Sequence, residues 1–294
     1  MEIDAVPDFD SYIEQLIQYI PPQNEPIDLI ISTGGLAAYY AAGVVSVFAY
    51  LQRDKKIKIN KIYCGSGGVF TAIPLILSEK YTNLKLNDFI SLYSTIINDY
   101  NDNNTKIVDS SISKFRDYLT PDAYKLCSNK LYIYKTELPF LTKKEVHTFT
   151  DNEHLLSCLK ASSTVPYLTT KDNYVEIDNK KFIDCFFLPK IQKEHNIRQV
   201  YINLVKYDYP MYKRIFPIDK NIICIILEGI LDSYRFIKYN KSTPVIYEYN
   251  GLYSKYKYIK YFSFILLFFI IYKKYNIFSL YFWSKIYKRI IFYK

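Results

Sequence analysis

The order of turns in the first quarter of the chain constrains its fold more than any other feature. A short apolar segment, 27–31, runs into a Gly-containing turn at 32–38, and an apolar helical stretch follows. A second apolar segment, 57–63, leads into a second glycine turn around Ser66, again followed by an apolar helical stretch. Strand, turn and helix repeated in this order predict a parallel sheet with right-handed crossovers. We therefore expect a three-layer α/β/α fold with a mainly parallel central sheet, and both glycine turns at the carboxyl ends of strands, where such sheets bind ligands.

The second turn, Cys64-Gly65-Ser66-Gly67-Gly68, has the layout of a nucleophile elbow. The backbone at an elbow serine is sharply bent, so the residues two before and two after it must be small, and Cys64 and Gly68 both are. The following helix would direct its amide N–H groups and positive dipole end toward charge developing beside Ser66. The same pattern also fits an ordinary glycine-rich turn with an incidental serine, so the elbow prediction depends on the rest of the chain.

The sequence argues against two nucleotide-binding interpretations of the glycine turns. The first turn lacks the Gly-x-Gly-x-x-Gly pattern and acidic ribose ligand of dinucleotide-binding folds. Neither turn is followed by the Lys-Ser or Lys-Thr pair of a phosphate-binding P-loop. No EF-hand loop is present either, and we expect no cofactor or metal.

The remaining periodicities predict a mixed set of helices and strands. Gly43, in the helix predicted from Tyr39 to about Leu51, is expected to allow close packing on the sheet. A capping box at 150–153 opens a helix through about Ala161, and a hairpin with a turn at Asp178-Asn179 places Asp184 at a strand end. Further helices are predicted at 8–20 (capped by Asp8 or Asp10), 87–99, 110–119, 121–128 and 221–239, and further strands at 130–136, 174–177, 181–183 and 199–204.

Cysteine usage and the amino end indicate an intracellular protein. The five cysteines are odd in number, widely spread and without a metal-ligand spacing, which favours a reducing compartment over a disulfide framework or a zinc site. The first eight residues lack the basic-then-apolar pattern of a secretory signal.

The net charge of +9 comes entirely from the end of the chain. Residues 251–294 contain nine Lys or Arg and no acid, which leaves 29 basic and 29 acidic residues in the rest. An enzyme acting on nucleic acid would carry a basic patch on its folded body, so nucleic acid is not an expected partner.

Four motifs, in order and at similar spacing across residues 27–190, resemble those of the patatin-like phospholipase family. The first glycine turn is similar to the family's oxyanion loop, and the turn at Ser66 to its Gly-x-Ser-x-Gly elbow. Leu159-Lys160-Ala161-Ser162-Ser163-Thr164-Val165-Pro166 closely resembles the family's Ala-Ser-Ser-Ala-Ile-Pro segment, and Phe182-Ile183-Asp184-Cys185 stands where its Asp-Gly motif belongs.

The resemblance implies a Ser–Asp dyad that works without histidine. Ser66 would be the nucleophile and Asp184 its general base, with backbone amides around Gly34, Gly35 and Leu36 holding the oxyanion. The implied activity is hydrolysis of carboxylic esters in membrane phospholipids or lysophospholipids through an acyl-enzyme.

The chain departs from the family pattern at several supporting positions. Thr33 and Ala38 replace glycines of the oxyanion motif, and Ala37 stands where an arginine is usual. Cys64 and Cys185 replace the first glycine of the elbow and the glycine after the aspartate. Alanine tolerates positive φ poorly, so we expect the oxyanion loop to follow a different path. The alternative function is a catalytically weak or inactive protein of this family that binds lipid or membrane.

Three histidines offer a different base. The order Ser66, Asp184, His195 is that of α/β-hydrolase triads. His195 lies in a polar stretch, however, and His154 begins a capped helix. We therefore expect His147, His154 and His195 to be surface histidines.

Residues 251–294 differ in composition from the rest of the chain. Seventeen of these 44 residues are aromatic, and lysines interrupt them. The longest uncharged run, Tyr261–Tyr272, would extend about 18 Å as a helix, against roughly 30 Å of bilayer core. Aromatic and basic residues without acids fit a segment in an anionic membrane interface. A single membrane span and a helix pair packed on the core are the alternatives.

The predicted organisation is therefore an acyl hydrolase domain at 1–250, with its motifs within about 27–205, and a basic aromatic membrane-associating tail at 251–294. We expect an intracellular, membrane-associated protein.

Overall fold

A computed structural model of the protein describes residues 8–249, apart from 24, 82–87, 89–90, 94, 97–98, 101–105, 193–196, 209–221. The predicted tail and His195 lie outside the described residues, as does much of the helix predicted at 87–99, although several described positions between 88 and 100 are helical.

The described residues form a mixed α/β fold around one eight-stranded sheet with the order β5-β6-β3-β2-β1-β7-β8, and β4 pairs with β3. The strands are β1 Pro26–Ile31, β2 Lys58–Gly65, β3 Leu131–Glu137, β4 Thr142–Val146, β5 Val175–Ile177, β6 Lys180–Ile183, β7 Arg198–Ile202 and β8 Ile246–Glu248. The central four strands, β3, β2, β1 and β7, are parallel, and the other pairings are antiparallel. The sheet is thus mostly parallel at its centre, as the alternation of strands and helices predicted.

Helices flank the sheet, an arrangement compatible with three α/β/α layers. They are α1 Phe9–Ile17, α2 Ala38–Arg53, α3 Gly68–Lys80, α4 Ile107–Tyr118, α5 Ala123–Cys127, α6 Asn152–Ser163 and α7 Ile222–Tyr239. Helix α2 packs against α1, α3 and α7, and α6 packs against α3, α4 and α5. Five of the six residues of β1 are buried, and four of these are aliphatic, as a strand covered on both faces requires.

Gly43 provides the closest helix contact, and its partner differs from the prediction. A Cβ at Gly43 would lie 2.1 Å from the carbonyl oxygen of Ile226 in α7, and a Cβ at Gly229 would lie 2.1 Å from that of Tyr40 in α2. The two glycines therefore let α2 and α7 cross backbone to backbone. The expectation that Gly43 packs on the sheet was wrong, because its close partner is α7, more than 180 residues further along the chain.

Helix ends follow their capping residues. Asp8 caps α1, since its carboxylate accepts a hydrogen bond from the amide of Ser11 at 3.2 Å. At α6 the N-cap is Asp151, which accepts from the amide of His154 at 2.7 Å, so the capping box predicted to start at Thr150 is displaced by one residue. The short strands β4 and β8 and the 3₁₀ turn Gly35–Ala37 were not predicted.

The pairing of β3 brings two distant segments to one point. Strand β3 pairs with β4 along one edge over Ile133–Glu137, so β2 and β6 must share its other edge. Along that edge Tyr134 pairs with Gly65, the last residue of β2, and Thr136 pairs with Ile183, the last residue of β6. Because β6 runs antiparallel to β3, its carboxyl end points at the end of β2.

Candidate active site

Ser66 occupies the turn between β2 and α3 in a left-handed backbone conformation, with φ of 54°. Only two residues separate the end of β2 at Gly65 from the start of α3 at Gly68, and the amide of Val69 donates to the Ser66 carbonyl at 3.1 Å. A non-glycine residue in this region is strained, and such strain is found at functional turns. The side chain of Ser66 is half-buried. These features are those of the predicted nucleophile elbow.

The glycines around Ser66 are required by close packing. A Cβ at Gly67 would lie 2.3 Å from the carbonyl oxygen of Gly35, and a Cβ at Gly65 would lie 2.9 Å from Sγ of Cys185. At Gly68 an added Cβ would lie 3.0 Å from the side chain of Ile31, at the end of β1, and 3.0 Å from the carbonyl oxygen of Ser32. Cys64 is fully buried at the end of β2. The two glycine turns, predicted to meet at one end of the sheet, are thus in direct contact.

The hydroxyl of Ser66 donates a hydrogen bond to Oδ2 of Asp184 at 2.7 Å. Asp184 directly follows β6, and its own amide donates to the carbonyl of Thr164 at 2.8 Å. Its carbonyl accepts from the hydroxyl of Thr136 at 2.7 Å, and the amide of Phe186 donates to its other carboxylate oxygen, Oδ1. Every polar group of Asp184 therefore has a partner, and the carboxylate is held with one oxygen toward Ser66.

Burial sets the electrostatics of this carboxylate. Asp184 is only 2 % exposed, and desolvation raises the pKa of its carboxyl to about 6. The hydrogen bonds from Ser66 and Phe186 and the positive charge of Lys143 lower that pKa in part. A carboxylate with a pKa near 6 is a stronger base than an exposed aspartate and is still ionised at neutral pH. The pair can therefore transfer a proton from Ser66 to Asp184.

Ser162, in the last turn of α6, ties the elbow to the sheet. Its hydroxyl accepts from the amide of Ser66 at 3.0 Å and donates to the carbonyl of Tyr134 at 2.6 Å. Its carbonyl accepts from the amide of Cys185 at 3.0 Å. Ser162 thus contacts both segments that carry the dyad. Sequence reasoning identified the segment that contains Ser162 but gave the residue no role.

Lys143 approaches the Asp184 segment from β4. Its ammonium group donates to the hydroxyl of Thr136 at 2.8 Å and to the carbonyl of Cys185, and it lies 4.3 Å from the ring centre of Phe187. Burial lowers the pKa of Lys143. No sequence signal indicated this residue, because it belongs to a lysine-rich strand without apolar alternation.

The first glycine turn is fixed on the opposite side of the site. The hydroxyl of Ser32 accepts from the amide of Leu204 at 2.8 Å, and the hydroxyl of Thr33 donates to the carbonyl of Phe186 at 2.7 Å. Thr33, which replaces a glycine of the family motif, therefore connects the turn to the Asp184 segment. Gly34, Gly35 and Leu36 are half-buried beside the elbow. Their role as oxyanion donors stays a prediction.

The alanines of this turn do not strain it. Gly35 takes a positive φ of 56°, whereas Ala37 and Ala38 have φ of −62° and −55° in the right-handed helical region. Cys185 is likewise outside the left-handed region, and it is Phe186 that has a positive φ, of 52°. Alanine at position 38 and cysteine at position 185, where the similar motifs have glycine, are therefore compatible with the observed backbone conformation.

Neither described histidine contacts the dyad. His147 stacks on Tyr132, and Nδ1 of His154 accepts from the amide of Thr150 at 3.3 Å. Within the described residues no group of three or more His, Cys, Asp or Glu could hold a metal ion, and all five cysteines are free.

The chain matches no protein-family model, and no curated protein matches it. The family relationship suggested by the motifs therefore remains a prediction.

One helical stretch of the described chain, Gly35–Arg53, is long and apolar enough to cross a membrane. Because 78 % of its most apolar window is buried in the fold, the apolar composition of this stretch is also that of a core helix.

Proposed function

We propose that the protein is a patatin-like serine hydrolase that cleaves carboxylic esters of phospholipids or lysophospholipids. The observation that carries the proposal is the 2.7 Å hydrogen bond from Ser66, in its strained left-handed turn, to the buried carboxylate of Asp184. A serine hydroxyl is a weak nucleophile at neutral pH and needs an adjacent base, which this geometry supplies.

The proposed reaction has two steps. Oγ of Ser66 attacks the ester carbonyl carbon while Asp184 takes the hydroxyl proton, and amides of the turn at Gly34, Gly35 and Leu36 stabilise the negative oxygen. The alcohol leaves with the proton held by Asp184, and an acyl-enzyme remains on Ser66. A water molecule, deprotonated by Asp184, then hydrolyses the acyl-enzyme and restores the serine.

The lipid nature of the substrate is supported by residues 251–294. Nine cations and seventeen aromatic residues without an acid favour contact with an anionic membrane surface, where a lipid ester is available. The five free cysteines support an intracellular location under the same proposal.

Covalent labelling of Ser66 by a serine-directed probe tests the proposed activity. Wild type, Ser66→Ala and Asp184→Asn would be incubated with a fluorophosphonate probe, and the labelled peptide identified by mass spectrometry. We expect labelling at Ser66 that is absent in Ser66→Ala and at least a hundredfold slower in Asp184→Asn, since the base is lost. A folded wild-type protein that binds liposomes but is not labelled would refute the hydrolase and leave the lipid-binding alternative.

A further inference from the structure

The segment that follows Asp184 adopts a conformation that needs external support. Phe186 has a positive φ of 52°, a region that a bulky side chain rarely adopts. The amide of this same residue donates to Oδ1 of Asp184, so the orientation of the carboxylate depends on the strained backbone at Phe186. Thr33 holds Phe186 through its carbonyl, at 2.7 Å.

Lys143 holds the other side of the segment. Its ammonium group donates to the carbonyl of Cys185, between Asp184 and Phe186, and to the hydroxyl of Thr136 at 2.8 Å. That hydroxyl in turn donates to the carbonyl of Asp184 at 2.7 Å. Lys143 therefore connects to two consecutive carbonyls, one directly and one through Thr136.

Lys143 has no carboxylate within ion-pair distance among the described residues, and its charge acts on Asp184 from further away. It lies beside the rings of Phe187 and Phe186, at 4.3 and 5.9 Å from their centres. A cation in such surroundings is poorly screened by water, so its field at Asp184 is stronger than that of an exposed lysine.

Three titratable groups around the Asp184 segment are uncharged over the working pH range. They are Cys64 on β2, Tyr134 on β3 and Cys185 in the segment itself. Burial raises the pKa of both thiols and of the phenol, that of Cys185 to about 12. Glu145 on β4 is bound to the hydroxyl of Tyr134, and the end of α6 contributes only Ser162, Ser163 and Thr164. Lys135 on β3 is buried against Phe182 and Cys158. Among the described residues, Lys143 is the group whose charge lowers the pKa of Asp184.

We propose that Lys143 is a positioning residue for the Ser66–Asp184 dyad, holding the Asp184 segment through the Cys185 carbonyl and keeping the carboxylate ionised by its charge. The inference rests on the proposed hydrolase function and adds a residue to its site.

The pH dependence of serine labelling tests this role. The rate of fluorophosphonate labelling at Ser66 would be measured from pH 5 to 9 for wild type, Lys143→Met, Lys143→Gln and Lys144→Met. Lys144 is the matched control, because it is the next residue on the same strand, exposed, and paired with Glu137 at 3.2 Å.

Loss of the charge is expected to move the acid limb of the profile to higher pH. For Lys143→Gln, which retains a donor for the Cys185 carbonyl, labelling at pH 5.5 should fall about tenfold and at pH 9 no more than about twofold. The labelling rate of Lys143→Met should fall at both pH values, because this variant also loses the hydrogen bond that supports the segment. The labelling rate of Lys144→Met should match that of wild type at every pH.

Each outcome separates the two proposals. Wild type labelled at Ser66, with an unchanged profile in folded Lys143→Gln, would overturn the role of Lys143 and leave the hydrolase intact. A uniform loss in both variants would show a structural role only and would overturn the electrostatic part of the proposal. Absence of labelling in wild type at every pH would refute the hydrolase itself.

Discussion

Oγ of Ser66 lies 2.7 Å from Oδ2 of Asp184, although 118 residues separate them in the chain. The contact is a consequence of sheet pairing: β2 stops opposite Tyr134, β6 stops opposite Thr136, and both lie on the same edge of β3. Ser66 and Asp184 thus stand at the ends of two strands that run toward each other. A rigid sheet, rather than a mobile loop, determines the distance between them, which is what a preorganised site requires.

The activity of the dyad should depend on pH through Asp184. Because burial raises the pKa of this carboxyl to about 6, the base is lost to protonation below that pH. The labelling rate of Ser66 by a fluorophosphonate should be constant above pH 7 and fall about tenfold per pH unit below pH 5. Single-turnover labelling in mixed buffers of constant ionic strength would measure this. An acid limb below pH 4.5 would show that Asp184 is not the group that titrates.

Asp184→Asn should stabilise the protein while it removes activity. The pKa of Asp184 is raised in the folded state, so folding favours the protonated form, and the stability present below pH 4 is lost as pH rises through about 6. Asparagine can accept from the amide of Phe186 through Oδ1 and donate through Nδ2 to the Ser66 hydroxyl, so both positions stay hydrogen-bonded without a buried charge. Urea unfolding should show a gain of about 1–3 kcal/mol at pH 8 and almost none at pH 4. Equal stabilities at pH 8 would contradict the cost assigned to the buried carboxylate.

Ser162→Ala should loosen the elbow. The change removes the acceptor for the amide of Ser66 and the donor for the carbonyl of Tyr134. Because both backbone groups would be left without this partner inside the protein, the free energy of unfolding should fall by about 1–3 kcal/mol. Ser163 is the matched control: its hydroxyl is also buried but has no hydrogen-bond partner among the described residues. Ser163→Ala should therefore leave the free energy of unfolding unchanged or raise it. Similar losses in the two variants, measured by urea unfolding, would contradict the role given to Ser162.

The parts of the site that the sequence predicted are those with strong local signals. Ser66 is flanked by glycines between an apolar strand and an apolar helix, a pattern that specifies both the turn and its strain. Asp184 could be placed because Asp178-Asn179, both observed at positive φ, close a tight hairpin whose second strand ends at Ile183. The central parallel strands were likewise predicted, β1 from its apolar run and β3 from its alternation of apolar and polar residues.

The parts that the sequence did not reveal depend on contacts between distant segments. Strand β4 has the sequence Thr-Lys-Lys-Glu-Val, mostly exposed, so no apolar pattern distinguishes it from a loop. The roles of Lys143 and Thr33 arise only once β4 and the first glycine turn are placed beside the Asp184 segment. The sequence also could not show which residue of the first glycine turn takes the positive φ, which among its described residues is Gly35.

Gly67→Ala should separate the two glycine turns. The added methyl group would lie 2.3 Å from the carbonyl oxygen of Gly35, a backbone atom that can move only with the whole turn. Labelling of Ser66 should fall at least a hundredfold, the scale expected when oxyanion donors are displaced. Ala38→Gly, at a right-handed φ of −55°, introduces the glycine of the motif that this turn resembles and should change labelling by no more than about twofold. A large gain from Ala38→Gly would show that the substituted turn limits the reaction.

Membrane binding should depend on the charge of residues 251–294. Replacing Lys273, Lys274, Lys285, Lys288 and Arg289 by glutamine retains the aromatic residues and removes five of the nine cations. Each basic residue near an anionic surface contributes about 1 kcal/mol, so sedimentation with vesicles containing phosphatidylserine should fall by at least a hundredfold in partition coefficient. Binding to neutral phosphatidylcholine vesicles should change little, and fluorophosphonate labelling in solution should match wild type, because none of the five residues belongs to the proposed dyad or its oxyanion turn. Retained binding to anionic vesicles at 0.15 M salt would contradict an electrostatic contact and favour insertion of the uncharged run Tyr261–Tyr272.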